Sequence, residues 1–459
     1  MLFNRFNPFF IAFSFICLAS VSCSKSPDLE NEPLATGSEV VVIAPEDRLP
    51  QVILNTNGES IPDEPKIDAT MVIEKQGAVV HEGNIAIEIR GQSSQMFPKK
   101  QYGFETRDEN NEDVNVSLLD LPEEEDWILH APYSDKSLIR NALIYDLSRA
   151  IGRYTTRLHF VELVLNNSNE GLYLLMEKLK RDDNRIDINK LKKSENEGED
   201  LTGGYIIKID KEDQYNETNS FTSSIAPPNA NNNQQVHFLY DTPDEEDITQ
   251  EQRNYISNYL HDFETALAGA NFTDPETGYA QYIDSDSFVD FFLLNELSNN
   301  VDGFRLSTWL VKDKNEPLAM GPIWDFNLAF GNADYCQGGE FNVWAYRFNE
   351  RCPGDRWQLP FWWQRLLQDP AFVTQIKTRW DALRADEFAE SEIHRRVDEY
   401  VTLLNASGSS RSNFIRWPVL TEYVWPNNYV GGTYDEEINY LKSWISNRLQ
   451  WLDENIAAL

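Results

Sequence analysis

The chain is short of positive charge. Its 459 residues carry 40 Lys and Arg against 75 Asp and Glu, a net charge of −35. A surface that acidic repels polynucleotides and anionic lipid, which removes nucleic-acid binding from the candidate functions. Histidine is scarce too, with six scattered residues and no H-E-x-x-H pair, so zinc hydrolysis has no ligand set to build on. The G-x-S-x-G turn that presents a nucleophilic serine is missing. No internal repeat is visible, and the one long apolar run, 8–21, is too short to span a bilayer.

That run reads as an address. Arg5 precedes it, and Ala19-Ser20-Val21-Ser22 leads into Cys23 and Ser24. The pattern resembles a bacterial lipoprotein signal, with 1–22 removed and Cys23 lipidated. Ser20 stands where that pattern has Leu, which keeps plain secretion as the alternative. Residues 23–47 are polar and aperiodic, a tether. The expected location is extracytoplasmic, held by the lipid alone at a bacterial cell-envelope membrane, whether outer membrane or cell surface. Of four cysteines, Cys17 leaves with the signal. Cys336 and Cys352 have no histidine near them. In an oxidising compartment their default is a disulfide, stabilising by about 3 kcal/mol on the loop-entropy model.

Aromatic residues make up 12% of the chain, enough for a packed core. Strand patterns run over 51–55, 69–74, 84–90 and 101–105, with Ile85, Ile87 and Ile89 in clean alternation. A helix is expected over 134–151, followed by strands at 158–165, 171–179 and 202–210. The stretch 192–247 is poor in apolar residues and reads as a long, largely mobile insertion with a strand at 236–240. Helices then dominate: one opened by the capping box Thr249–Gln252, others at 286–297, 361–367, 372–382, 391–405 and 435–456. The tryptophan-rich loop 417–434 and the pair Trp362-Trp363 read as core packing or as an aromatic binding surface. Strands fill the N-terminal half and helices the C-terminal half, an α+β chain.

Two β-rich runs, 305–311 and 318–324, flank a polar turn centred near Lys314 and Asn315, a hairpin signal. Its arms would bring Asp302 and Asp325 to one open end. Two carboxylates side by side repel unless a proton or cation sits between them, and hard oxygen ligands of this kind suit Mg²⁺ with phosphate. For an isolated pair of acids the better explanation is that Asp302 caps a turn and Asp325 ends a strand. Upstream, Gly91, Ser93 and Ser94 sit in a strand-to-strand loop followed by Lys99 and Lys100, where backbone N–H groups and ammonium could meet phosphate.

The chain resembles the spore-coat protein H kinase family (CotH kinase proteins) from about Leu49 to Asp453. The resemblance is carried by Ile89-Arg90-Gly91-Gln92-Ser93-Ser94 with Pro98-Lys99-Lys100, by Tyr133 to Asn141, by Leu174 to Lys178, by Gly203-Gly204-Tyr205, and above all by Gly321-Pro322-Ile323-Trp324-Asp325-Phe326-Asn327-Leu328-Ala329-Phe330-Gly331-Asn332. It implies an atypical protein-kinase-like, two-lobed fold: an N-lobe over 48–190, the insertion, and a C-lobe over 248–459. ATP would lie between the lobes with Mg²⁺, or Mn²⁺, on its phosphates. The activity implied is phosphoryl transfer to Ser or Thr of extracytoplasmic proteins. Asp302 falls at the family's catalytic aspartate and Asp325 at its metal-binding aspartate. Lys99 or Lys100 would hold phosphate, Glu177 would lie in the hinge strand, and Lys208 is a further candidate for the nucleotide. Ser307 stands where many members have Asn, and Asn327 where a second Asp is common. Those departures from the usual metal ligands keep a second reading open, a weak or inactive pseudokinase serving as a surface binding or adhesion module.

Overall fold

The structure, a computed structural model, describes residues 47–459 other than 213, 232 and 233. The apolar run at 8–21, Cys23 and the tether up to residue 46 lie outside them. Among the described residues no helix is long and apolar enough to cross a membrane.

Seven strands close a barrel. They are β1 (Gln51–Asn55), β2 (Ile67–Lys75), β3 (Ala78–Arg90), β4 (Gln101–Arg107), β5 (Asp126–His130), β6 (Leu158–Leu165) and β7 (Ser168–Glu177), in the order β1-β2-β3-β4-β5-β7-β6. The pairs are antiparallel except for the closing one, β1 with β6, which is parallel with Gln51 opposite Glu162. Tight turns join neighbours where the sequence tolerates a left-handed backbone: Gln76 and Gly77 at φ 54° and 79°, Asn166 and Asn167 at 49° and 67°. Alternate side chains fill the interior, among them Val52, Met71, Ile85, Ile87, Phe104, Trp127, Leu129, Tyr173 and Leu175. On β5 and β7 the opposite face is buried too. Ile128, Leu174 and Met176 point outward into the main core, against α1 (Arg140–Ala150). Trp127–Leu129 and Leu172–Met176 are accordingly apolar without alternation.

A second sheet carries the hairpin. β8 (Tyr205–Ile209), β9 (Ser220–Thr222), β10 (His237–Thr242), β11 (Thr308–Lys312) and β12 (Leu318–Ile323) lie in the order β12-β11-β8-β10-β9. The stretch 192–247 supplies three of the five strands: β8 and β10 fall on the strands expected at 202–210 and 236–240, and β9 is the one the reading of a largely mobile insertion lacked. They are only three to six residues long, and the polar loops between them lower the apolar content averaged over the whole stretch.

Helices follow: α2 (Gln250–Ala268), α3 (Ser285–Ser298), which packs on β12, α4 (Phe348–Arg351), α5 (Trp362–Leu366), α6 (Pro370–Arg384), α7 (Glu390–Ala406), α8 (Ser409–Arg416), which packs on β7 of the barrel, and α9 (Tyr434–Ala457). The capping box at Thr249 and Gln252 is present. α3 is buried on every side and sits in the middle, with Phe288, Phe292 and Leu293 fully buried. Trp362 and Trp363 are core residues, at 0% and 1% exposure. Cys336 and Cys352 are joined by a disulfide, their Cα atoms 5.4 Å apart. Strands thus dominate before residue 242 and helices after it, the α+β division expected.

Candidate functional site

A cleft of about 830 Å³ opens between the barrel and the second sheet. Arg90 at the end of β3, His130 on β5 and Met176 on β7 line one side. Lys208 on β8, Asp210 just beyond it, Trp309 on β11 and Asp325 just beyond β12 line the other. β11 and β12 pair with Lys312 opposite Leu318 and Thr308 opposite Ile323. Their open end therefore delivers Asp302, ahead of β11, and Asp325, after β12, to the same cleft.

Asp325 titrates abnormally. Its carboxyl is pushed up to about 6, first by burial, then by the negative charges of Asp302 and Asp210; Arg90 and Lys211 act in the opposite sense. The mutual repulsion expected of two acids is there, with a third added. Asp210 is raised as well, chiefly by burial, while the Ser307 amide donates to its carboxylate. Asp302 is held on one oxygen: Oδ1 accepts from Arg305 Nη2 at 2.7 Å and from the Tyr335 hydroxyl at 3.4 Å. Among the described residues Oδ2 accepts no hydrogen bond.

The turn that presents Asp325 is built by α1. Asp325 has φ 62°, a left-handed conformation a non-glycine residue adopts only when its surroundings fix it. Its amide donates to the Tyr145 hydroxyl at 3.0 Å, and the next amide, Phe326, donates to Asn141 Oδ1 at 2.8 Å. Tyr145 also stacks on Trp324. One turn earlier Arg140 donates to the Ala329 carbonyl at 3.0 Å while paired with Asp135. Helix 140–150 thus holds the 325–329 backbone from one side with three side chains spaced at i, i+1 and i+5.

This arrangement coincides with a match over most of the chain. A family model described as CotH kinase protein matches residues 87–452. The chain belongs to that family. The match begins inside β3 and ends inside α9, so every acid and cation just described lies within it. Compared with curated proteins, the chain matches none.

Of the residues singled out in the sequence of this CotH family member, Asp302, Ser307, Asp325, Asn327, Gly91, Ser93, Ser94 and Lys208 all line the one cleft. Gly91, at φ 94°, opens the loop over its mouth, and a Cβ there would strike Ser94 Oγ at 2.2 Å. The structure places Lys99, Lys100 and Glu177 elsewhere. Lys99 is 1% exposed, with Nζ donating to the Leu172 carbonyl at 2.5 Å and to Asn413 Oδ1 at 2.7 Å. Burial drives its pKa well down. Lys100 Nζ donates to the Gln95 carbonyl at 2.5 Å. Glu177 is fully buried at the end of β7, in a bidentate pair with Arg157. Lysines that follow a loop suggest phosphate ligands, but Lys99 points to the barrel face packed on α8.

The cations that do line the cleft are Arg90, Lys178, Lys208 and Lys211, and Lys178 is paired with Asp126 at 3.0 Å. Arg90 lies over the Trp324 ring at 5.7 Å and faces Asp325; burial lowers its pKa and Asp325 opposes that. Lys208 pairs with Asp241 at 3.3 Å. Arg90 reads from the sequence equally as a phosphate contact or as a salt-bridge partner within the sheet, whereas Asp210, Lys211, Asn141 and Tyr145 are not put forward there as site residues. The signal for Asp210 was available: Lys208, Asp210 and Lys211 crowd the end of an otherwise apolar strand, where solvation alone does not call for three charges.

His130 connects this wall to the Asp325 turn. Its Nδ1 meets Gln101 Oε1 at 2.9 Å and its Nε2 meets Asn141 Nδ2 at 3.2 Å. Burial, with Arg90 next, lowers its pKa to about 3. A histidine kept neutral in the folded state is charged more readily in the unfolded one. Stability is therefore intact above the unfolded value of 6.5 and falls as pH drops from there toward 3, by at most about 1.4 kcal/mol per pH unit. Urea melts at pH 7, 6 and 5 check this. His130→Gln is expected to flatten the decline, and an identical decline in the variant would assign it to other groups.

Proposed function

We propose that the protein transfers the γ-phosphoryl group of ATP, with Mg²⁺ or Mn²⁺, to serine or threonine hydroxyls of extracytoplasmic proteins, within an atypical kinase-like fold whose nucleotide lies between barrel and second sheet. The observation that carries this reading is the convergence of Asp302, Asp325 and Asp210 with Arg90, Lys208 and Lys211 in one cleft. A group of acids that repel one another fits a hard divalent ion, and oxygen donors are what such an ion prefers. Asp325 and Asp210 would hold it, with the Asn327 amide oxygen and the Ser307 hydroxyl as weaker neighbours. The ion, when bound, neutralises charge on the β- and γ-phosphates.

The rest is done by side chains. Arg90, Lys208 and Lys211 would bind and orient phosphate oxygens, and the backbone N–H groups of the Gly91–Ser94 loop close over them. Ile128, Met176, Leu179 and Trp309 give the cleft an apolar wall suited to a purine ring. Asp302 orients the acceptor hydroxyl and takes its proton on Oδ2, since Oδ1 is committed to Arg305 and Tyr335. Positioning and charge neutralisation are the main demands of phosphoryl transfer, and both are met by groups already fixed in place.

The test is direct. The full chain with γ-labelled ATP, Mg²⁺ or Mn²⁺ and cell-envelope proteins is expected to label serine or threonine, and Asp325→Ala to remove the label. Label that persists unchanged in the variant rejects the assignment. The reading as a surface binding module makes a different prediction, no stabilisation by MgATP, where a kinase at saturating nucleotide is stabilised by mass action.

A further inference from the structure

Asp302 is gripped from two flanks, and both lead to the disulfide. On one flank stands Arg305, at 2% side-chain exposure. Its guanidinium forks. Nη2 donates to Asp302 Oδ1 at 2.7 Å, while Nη1 donates to Asp355 Oδ1 and to the Trp357 carbonyl, each at 3.2 Å. Nε donates to the Val301 carbonyl at 2.8 Å, and the group lies 4.0 Å from the centroid of the Phe348 ring. A planar cation fixed on every side gives the carboxylate it holds one orientation. Asp355, the far anchor of the fork, donates its amide to the Cys352 carbonyl at 3.1 Å. One of its carboxylate oxygens lies within 4.8 Å of both sulfurs.

On the other flank stands Tyr335, the residue before Cys336, whose hydroxyl reaches the same Asp302 oxygen. The loop after Cys336 is pressed against the segment that carries Asp302. Asn299 Nδ2 donates to the Gln337 and Glu340 carbonyls at 3.1 and 2.9 Å. At Gly338 a Cβ would meet Val301 Cγ1 at 2.5 Å. The Cys336–Cys352 bond therefore ties together the two pieces of chain that clamp Asp302.

We propose that Arg305 is a positioning residue for Asp302 and that the Cys336–Cys352 bridge keeps it in register, so that turnover depends on the bridge being closed. The inference rests on the phosphotransfer reading above. A dithiol that supplies two electrons and two protons breaks the S–S bond, leaves thiols on Cys336 and Cys352, and departs as its own cyclic disulfide. Two S–H donors then stand beside Asp355 in competition with Arg305, and the Tyr335 segment is no longer tied to the Asp355 segment. Such a chain is idle in a thiol-reducing compartment and competent in an oxidising one.

The experiment uses the full oxidised chain with MgATP and dephosphorylated casein as acceptor, before and after dithiothreitol, with thiol labelling to confirm reduction. Reduction is expected to lower kcat about tenfold and Arg305→Gln to lower it about 10²-fold, with KM for ATP moving less than about threefold in both. Asp355→Asn is expected to lower kcat in the same direction. The Cys336→Ser/Cys352→Ser double variant starts low and does not respond to dithiothreitol. Hydrogen exchange at the amides 301–307 speeds up on reduction, a readout independent of turnover. A folding defect would instead weaken ATP binding along with kcat. If Arg305→Gln does not fold, Asp355→Asn and the double serine variant carry the test alone. An active wild type whose kcat and exchange ignore confirmed reduction overturns this inference only. An oxidised wild type that does not transfer phosphate overturns the phosphotransfer reading, and this inference with it.

Discussion

Asp325→Asn is expected to lower phosphoryl transfer by about 10³-fold or more and at the same time to raise the melting temperature of the metal-free protein. The two effects have one cause. Burial and the charges of Asp302 and Asp210 lift the Asp325 carboxyl from 3.8 to about 6, so its ionised form is unfavourable in the fold at neutral pH. A group whose pKa is raised on folding costs stability fully above the folded value, and that cost disappears as pH falls toward the unfolded one. The window is therefore pH 6 down to 3.8. A shift of this size corresponds to about 3 kcal/mol, reduced to about 1–2 kcal/mol by water in an open cleft. In a chain this long that is about 1–3 °C. Calorimetry in chelator at pH 7 and pH 5 isolates the group, because His130 and the other acids are common to both proteins. The variant should melt higher at pH 7, and its advantage should shrink at pH 5. Adding Mg²⁺ with nucleotide should stabilise the wild type and not the variant. A variant that melts lower at pH 7 would make Asp325 a structural anchor and remove it from the ion's ligands.

How much of this was legible beforehand depends on distance along the chain. The hairpin, the mouth that joins Asp302 to Asp325 and the Gly91 loop are short-range features. Alternation and turn chemistry reveal them because each is decided within one short stretch of chain, the longest being Asp302 to Asp325. Helix 140–150 was legible as a helix, since Leu143, Leu147 and their neighbours repeat at helical spacing. Its task was not, because Asn141 and Tyr145 meet the Asp325 turn across 185 and 180 residues. Lys99 failed for the same reason in reverse. Its immediate neighbours read as a phosphate loop, while its partner Asn413 is 314 residues away on a helix the polar sequence 409–416 did not betray. The seven-stranded closure of the barrel was hidden as well: the pair that closes it, β1 with β6, is parallel and joins residues about 110 apart. Within 192–247 the strands at 205–209 and 237–242 were legible, while β9 was not, because a strand of three residues leaves little trace in an average.

The other large effect is expected far from any substrate. Glu296 near the end of α3 and Arg448 in α9 are both fully buried, with Arg448 Nη2 3.0 Å from Glu296 Oε2. Burial raises the pKa of the acid and brings the arginine down to about 10, the signature of two charges that give up much solvation to be there. What holds them is complete pairing. Glu296 also accepts the Ala345 and Tyr346 amides at 2.8 Å, and Arg448 donates to the carbonyls of Glu296, Phe341 and Val343. One pair thereby fastens α3, α9 and the loop closed by the disulfide, a few residues ahead of Asp302. Removing one partner strands the other, so Glu296→Ala or Arg448→Met should each cost about 3–5 kcal/mol in urea melts. The Glu296→Leu/Arg448→Met double variant should cost clearly less than the sum, because neither charge is left alone and only carbonyl and amide partners are lost. Strict additivity, or single variants within about 1 kcal/mol of wild type, would mean that water reaches the pair and that α9 is fastened by its apolar face instead. Glu296→Gln then separates charge from hydrogen bonding. It keeps an acceptor for one amide and loses the ion pair, so a cost close to that of Glu296→Ala assigns the stability to the charge, and a cost near zero assigns it to the amides of 345 and 346.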